Sequence, residues 1–358
     1  MSTRALRRAL AVAMFSSVAA MPLAVAPQVA QADSHAFLTV MTRNLDEGTD
    51  FGYIMAAAQG LMSFSDAVTA TYLEVLGSNV CGRAAQIADE IAAAQPDLVS
   101  VQEAAQWTGP LPTGCAAAPS PTTIDAQAAL MARLAADGAQ YVVVSALDEF
   151  SSASIAALLP PGMGFLDRDL LLARVEPAGQ LALSNVMAQH FSTLLPLPLG
   201  PGLSIPVTRG WISADVTVRG SAARMIATHL ESFYQPVQMA QAMELVAGPA
   251  NTSMPVVLAG DLNTGPGSAQ MATYDWLTGG AGGGFVDTWA ATHPGDPGYT
   301  DAFYTEDPFT PSTPSERIDL VLVRNAAVPS APKDFMTGLE LPHPSDHAGV
   351  VAKVTLPS

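Results

Sequence analysis

The chain has 358 residues, 49% of them hydrophobic and 13% charged, which is material for one large domain or two small ones and excludes wholesale disorder or a coiled-coil rod. With 15 Lys+Arg against 32 Asp+Glu, the formal net charge is −17. So acidic a chain repels polyanions at long range, which excludes nucleic-acid binding through a broad basic face and leaves only a local basic cleft or a bridging metal for that purpose.

The first segment reads as a secretion signal peptide over residues 1–32. Arg4, Arg7 and Arg8 precede an uncharged apolar run from Ala9 to Ala26, and Ala30-Gln31-Ala32 supplies a small-x-small cleavage pattern. Pro22 and Pro27 interrupt the run, which argues against a retained membrane anchor. Cleavage removes three arginines and no acid, so 15 − 3 leaves 12 basic against 32 acidic residues, a net −20. Residues 33–358 are then expected to form a single catalytic domain without a transmembrane helix, secreted or held in the periplasm or at the cell surface, and monomeric. In such an oxidising compartment Cys81 and Cys115 are expected to be bridged; a two-cysteine metal site would need a nearby His and a shorter spacing.

In chain order, Phe37–Thr42 alternates as a strand, residues 50–80 resist assignment, and Arg83–Gln95 has helical spacing that Pro96-Asp97 stops. Leu98–Glu103 is a short buried strand ending in a carboxylate, Ala126–Ala136 a helix, and Tyr141–Ser145 a strand. Strands continue at Leu170–Arg174, Gly210–Val218 and Arg224–Leu230, followed by a helix over Pro236–Ala247 and strands at Pro255–Ala259, Arg317–Val323 and Ala348–Leu356. Loops are expected at Pro110–Thr123, Leu194–Pro206 and Thr264–Gly284. The apolar stretch Phe191–Pro206 reads as a Pro-stiffened loop in preference to a membrane-touching hairpin. About ten strands with interspersed helices predict one α+β domain of sheets packed face to face.

The polar residues of interest share one placement, at the ends of short apolar strands. Asn44, Glu103, Asp261 and Asn263 follow strands, His229 closes one, Asp319 sits within Arg317-Ile-Asp-Leu-Val-Leu, and Asp346-His347 immediately precedes the last. Strand ends of a rigid sheet hold side chains to tight tolerance. Oxygen-rich Asp, Asn and Glu suit a hard cation such as Mg²⁺, and histidine adds proton transfer and hydrogen bonding to phosphate. Gly260-Asp261-Leu262-Asn263 is the most telling piece, because its two polar side chains lie two apart after a β run. The oxygen-rich set lacks a cationic clamp of its own. Residue chemistry alone points to metal-assisted hydrolysis. Outside this set, Asp169 reads either as a site residue or as a loop cap, Glu231 as solvated, Trp211 as core, and His190, His293 and His343 as surface or loop histidines; His35 falls beside the new N-terminus.

Thr42-Arg43-Asn44-Leu45, Pro96–Glu103, Arg209-Gly210-Trp211, Thr228-His229-Leu230, Gly260–Asn263, Arg317-Ile318-Asp319 and Ser345-Asp346-His347 together resemble, in order, the endonuclease/exonuclease/phosphatase superfamily. Its members include pancreatic-type deoxyribonuclease, abasic-site endonucleases, bacterial sphingomyelinases and inositol polyphosphate 5-phosphatases. The resemblance covers residues 37–356 and implies a four-layer α-β-β-α sandwich, two packed mixed sheets flanked by helices. It also implies Glu103 as principal metal carboxylate, with Asn44 and Asp346 helping to position the ion: Mg²⁺, or alternatively Mn²⁺ or Ca²⁺. Asp261 would orient the attacking water, Asn263 and His229 would bind phosphate, and Asp319 with His347 would form a carboxylate–imidazole pair handling a proton. The implied activity is in-line hydrolysis of a phosphodiester, with nucleic acid or a phospholipid head group as the phosphoester substrate. The alternative is a catalytically silent binding or adhesion module on the same fold.

Overall fold

The computed structural model describes residues 36–175, 181–200, 203–303 and 313–357, so the signal-peptide segment and His35 lie outside the described residues. The first half of the chain runs β1 (Ala36–Asn44), α1 (Gly52–Ala58), α2 (Phe64–Gly77), α3 (Val80–Ala94), β2 (Leu98–Gln102), β3 (Gln106–Thr108), β4 (Thr123–Asp125), α4 (Ala126–Ala136), β5 (Tyr141–Ser151) and β6 (Gly164–Arg174). Then come β7 (Leu181–His190), β8 (Leu195–Gly200), β9 (Leu203–Val207), β10 (Gly210–Val218), β11 (Ser221–His229) and α5 (Gln235–Ala247). The chain closes with β12 (Val256–Asp261), α6 (Met271–Thr278), β13 (Val286–Asp287), α7 (Thr288–Thr292), β14 (Asp319–Arg324), β15 (Phe335–Thr337) and β16 (Gly349–Leu356).

Two mixed sheets form the centre. The first has the order β15-β16-β1-β2-β6-β3-β4 with β5 also paired to β6; the second has the order β13-β14-β12-β11-β10-β7. Period-two side-chain alternation divides each strand between two apolar layers. On β6, Leu171 and Ala173 join Val40, Ile212 and Val257 between the sheets. Its neighbours Leu170 and Leu172 turn outward to meet Ile87 and Ile91 of α3 and Leu130 and Leu134 of α4. On the far face of the second sheet, Ile226, Leu258 and Leu320 pack under Ala242 and Leu245 of α5 and Leu277 of α6. The molecule is thus a four-layer α-β-β-α sandwich, the fold class the sequence implied.

Helices α2 and α4 open on side-chain caps. Ser63 accepts from the Asp66 amide at 3.1 Å to open α2, and Asp125 accepts from the Ala128 amide at 3.0 Å to open α4. Cys81 and Cys115 form a disulfide with their Cα atoms 5.6 Å apart. No helix among the described residues is long and apolar enough to cross a membrane.

Three expectations need correction. Residues 50–80 hold helices α1 and α2; α1 has no buried residue, so no core-facing stripe marks it in the sequence. Leu194–Pro206 is not a loop: β8 and β9 pair as a separate two-stranded ribbon. Its prolines tolerate this because no further strand needs their missing amide hydrogens. Thr264–Gly284 contains helix α6.

Candidate active site

Strand register assembles the site before any side chain is considered. Across the second sheet Gly210 lies opposite His229, His229 opposite Asp261, and Asp261 opposite Asp319, one row over four strands. Across the first, Asn44 lies opposite Gln102, with Glu103 next in the chain. Gly260 makes the tight β11–β12 approach feasible: a Cβ there would sit 1.9 Å from the Thr228 carbonyl oxygen. Glu103 and Asn263 both take left-handed backbone conformations, φ 57° and 49°, which turn the chain sharply just as each strand ends.

Asn44 joins the two sheets. Its amide nitrogen donates to Glu103 Oε1 at 3.0 Å and to Asp261 Oδ2 at 3.2 Å, while its oxygen accepts from the Asp46 amide at 2.9 Å. Glu103 Oε2 accepts from the Glu47 amide at 3.1 Å, and Asp261 Oδ1 from the Asn263 amide at 2.9 Å. The Asn263 side chain donates to the Leu230 carbonyl at 3.0 Å.

The two histidines are held differently. His347 Nδ1 lies 2.8 Å from Asp319 Oδ2, and its Nε2 faces Asp261 Oδ2 and Asp301 Oδ1, each at 3.8 Å. Burial opposes charge on this ring, but Asp319, Asp346 and Asp261 outweigh it and lift its pKa well above that of a free histidine. Arg317, two residues before Asp319, pairs with Asp287 at 2.8 Å. The Ser345 hydroxyl accepts from the His347 amide at 3.1 Å and donates to the Asn44 carbonyl at 2.9 Å, which explains the serine of Ser-Asp-His. Arg43, wholly buried, donates to the His347 carbonyl and pairs with Glu90 at 3.0 Å.

His229 is neutral by design of its surroundings: burial first, then Arg209, lower its pKa to about 4. An Arg209 nitrogen lies 2.9 Å from Nδ1, so that ring nitrogen accepts and Nε2 carries the proton toward Asp261 Oδ2 at 3.4 Å. Arg209 also faces Asp167 at 3.6 Å, and Asp169 Oδ1 is 3.8 Å from His229 Nδ1. Burial lifts Asp167 to about 6 and Asp169 to about 7, with Arg209 opposing in both. Burial, reinforced by Asp167, likewise raises Glu103 against the pull of His229, His347 and Asn44.

The cluster does have its own cation, Arg209, contrary to the sequence reading. Arg209-Gly210-Trp211 stood among the pieces of the resemblance, but with no role for the arginine; its meaning comes from the acids folded around it. Asp169 belongs to this layer rather than to a loop cap, and Glu231, read as solvated, is buried with Oε1 accepting from the Phe233 amide at 2.8 Å. Trp211 is core, His190 is exposed, and His343 is a buried loop residue against Phe303.

Among the described residues, ligand-type atoms come within 4.8 Å of one another in two groups, Glu103–His229–Asp261 and Asp261–Asp319–His347. Asp346 is in neither; its Oδ1 lies 4.0 Å from His347 Nε2. A divalent cation fits between Glu103 and Asp261, because the Oε1 and Oδ2 they turn toward each other meet only neutral donors at close range, the Asn44 amide and the His229 Nε2–H.

The endonuclease/exonuclease/phosphatase family model matches residues 76–347, so the chain belongs to that family, and it is a phosphoric ester hydrolase of the family's metal-dependent type. Among solved structures, the chain is similar to an endonuclease/exonuclease/phosphatase from Beutenbergia cavernae, at 22% identity and TM-score 0.54 over 90% of this chain and 72% of that one. It is also similar to one from Bacteroides vulgatus, at 16% identity and TM-score 0.54 over 90% and 100%. The human Nocturnin catalytic domain, determined with a bound sulfate anion, aligns at 16% identity and TM-score 0.51 over 90% and 97%. At these identities the structures speak to the fold alone. No curated protein sequence matches the chain.

Proposed function

We propose that this member of the endonuclease/exonuclease/phosphatase family is an exported phosphodiesterase that works with Mg²⁺ and hydrolyses its ester by in-line attack of water. The observation that carries this reading is the convergence of Glu103, Asn44 and Asp261 from two sheets beside the Asp319–His347 pair. Glu103 is the principal carboxylate for the ion, with Asn44 and Asp346 positioning it. The bound cation supplies charge neutralisation for the phosphate as the transition state develops.

The chain's own groups do the rest. Asp261, its Oδ1 held by the Asn263 amide and its Oδ2 oriented by the Asn44 amide nitrogen, uses Oδ2 to orient the attacking water and take its departing proton. Neutral His229 offers Nε2–H, and Asn263 its second amide hydrogen, to the phosphate oxygens. As the water oxygen bonds to phosphorus, the ester P–O bond opposite it breaks. His347, its Nδ1 fixed by Asp319, presents Nε2 to the oxygen that leaves and gives it a proton. Export is supported by the N-terminal sequence pattern and by the disulfide, a bond of oxidising compartments.

A panel of DNA, RNA, sphingomyelin, inositol phosphates and bis-p-nitrophenyl phosphate, each with Mg²⁺ and with EDTA, tests the reading. At least one diester is hydrolysed with Mg²⁺ and spared in EDTA. Full turnover in EDTA, or inertness toward every ester, contradicts it.

A further inference from the structure

A chamber of about 500 Å³ opens beside the site, within the range of cavities that enclose small ligands. Glu103, Arg209 and Asp346 line it, so the reacting groups and the chamber share one wall. The opposite character dominates elsewhere. Phe51, Trp107 and Phe165 form an aromatic bank, Trp107 stacked on Phe165 with centroids 4.1 Å apart and Phe51 set edge-on to Phe165 at 5.6 Å. Helix α1 adds Ile54 and Met55. The ribbon contributes two cross-strand pairs, Leu195 opposite Val207 and Leu197 opposite Ile205.

These surfaces make sense of the two segments the sequence left unexplained. Helix α1 buries no residue in the core, and the β8–β9 ribbon joins neither sheet, yet both turn apolar side chains into the chamber. Apolar walls left to water are unfavourable, and an apolar occupant relieves that. The polar chemistry narrows the occupant further. Among the described lining residues no Lys, Asn or Gln is present to read a base edge. Arg209 is the one cation among the described lining residues, and Asp167 and Asp169 already enclose it. A polynucleotide brings a second phosphate beside the first, with no free cation in that lining to meet it. A hydrocarbon arm needs none.

We propose that the chamber binds a long hydrocarbon arm of the substrate, so that the enzyme's ester is a lipid with a single phosphodiester and not a nucleic acid. The inference rests on the phosphodiesterase reading above and names the substrate class for that same site.

The test is a series of 4-nitrophenyl phosphodiesters whose second ester arm is methyl, butyl, octyl or dodecyl, each below its aggregation concentration, with Mg²⁺. Transfer of each methylene into the chamber raises kcat/KM about fourfold over the first several carbons. Leu197→Asp in the ribbon and Ile54→Asp in α1, each checked for an unchanged thermal transition, both lower the octyl-to-methyl ratio at least tenfold. If wild-type enzyme turns over the methyl and octyl esters equally in a Mg²⁺-dependent manner, or prefers DNA to all of them, the hydrocarbon inference fails while the phosphodiesterase reading stands. If no ester is hydrolysed with any divalent cation, both fall together.

Discussion

The residue pair that most constrains the chemistry is Asp319 with His347. A ring that must present one nitrogen to a reacting oxygen needs its other nitrogen fixed, and a 2.8 Å contact to a fully buried carboxylate does that. His347→Ala is therefore expected to lower kcat by roughly three orders of magnitude and Asp319→Asn by somewhat less. The double variant should be far less impaired than the product of the two, because the pair acts as a unit; multiplicative losses would show two independent residues. This pair was legible as a motif, Arg-Ile-Asp ahead of Ser-Asp-His. The part played by Arg209 was not, since Arg-Gly-Trp says nothing of Asp167 and Asp169, which reach the arginine from another part of the chain. A different residue sets a pH dependence of stability. Burial lifts Asp334 to about 6, whereas an unfolded Asp titrates near 4. Between these values the folded state keeps a proton that the unfolded chain has lost, so this contribution is complete below about pH 4 and is lost as pH rises through about 6. Asp334→Asn should accordingly stabilise the protein by about 2 kcal/mol at pH 8 and hardly at all at pH 3.5, as read from denaturant midpoints at the two pH values.

At the scale of elements, the site depends on how closely strands approach. Gly260 lets β12 lie against β11 so that Asp261 stands beside His229; any Cβ would collide with the Thr228 carbonyl. Gly260→Ala should cost about 1–3 kcal/mol by overpacking and at least tenfold in kcat, since Asp261 moves with the strand. Unchanged activity with an unchanged melting temperature would remove this explanation of the Gly-Asp-Leu-Asn motif. The disulfide ties the first turn of α3 to the segment after β3 across a sequence separation of 34. Peptide mapping without reductant should recover the Cys81–Cys115 cross-link, and reduction should cost about 4 kcal/mol in the chain-entropy model; two free thiols in oxidised material would contradict it. The core strands and helices α3, α4 and α5 could be read from the sequence because their apolar residues face a core at regular spacing. Helix α1 and the β8–β9 ribbon could not. Their apolar residues face a chamber and not the core, so no core-facing periodicity announces them.

For the whole molecule, charge and architecture work in the same direction. A chain of net charge −17 gathers its reacting groups at one end of two packed sheets, where strand register fixes them before binding begins. Long-range repulsion by such a charge agrees with the proposed lipid substrate, which carries little charge beyond the phosphate to be cleaved. The four-layer fold was legible because the motifs arrived in family order along nearly the whole chain. What the order of motifs could not convey was the chamber beside the site, whose walls include helix α1 and a ribbon lying outside both sheets. The central claim is that Glu103 makes phosphodiester hydrolysis depend on a divalent cation. It is tested most directly by the turnover of bis-p-nitrophenyl phosphate by wild-type protein and Glu103→Gln across a Mg²⁺ titration, with circular dichroism to verify folding. The account predicts saturable Mg²⁺ activation of the wild type, abolished by EDTA, and a folded variant at least about a hundredfold slower at every Mg²⁺ concentration. A folded Glu103→Gln protein with wild-type turnover and the same Mg²⁺ dependence would contradict it.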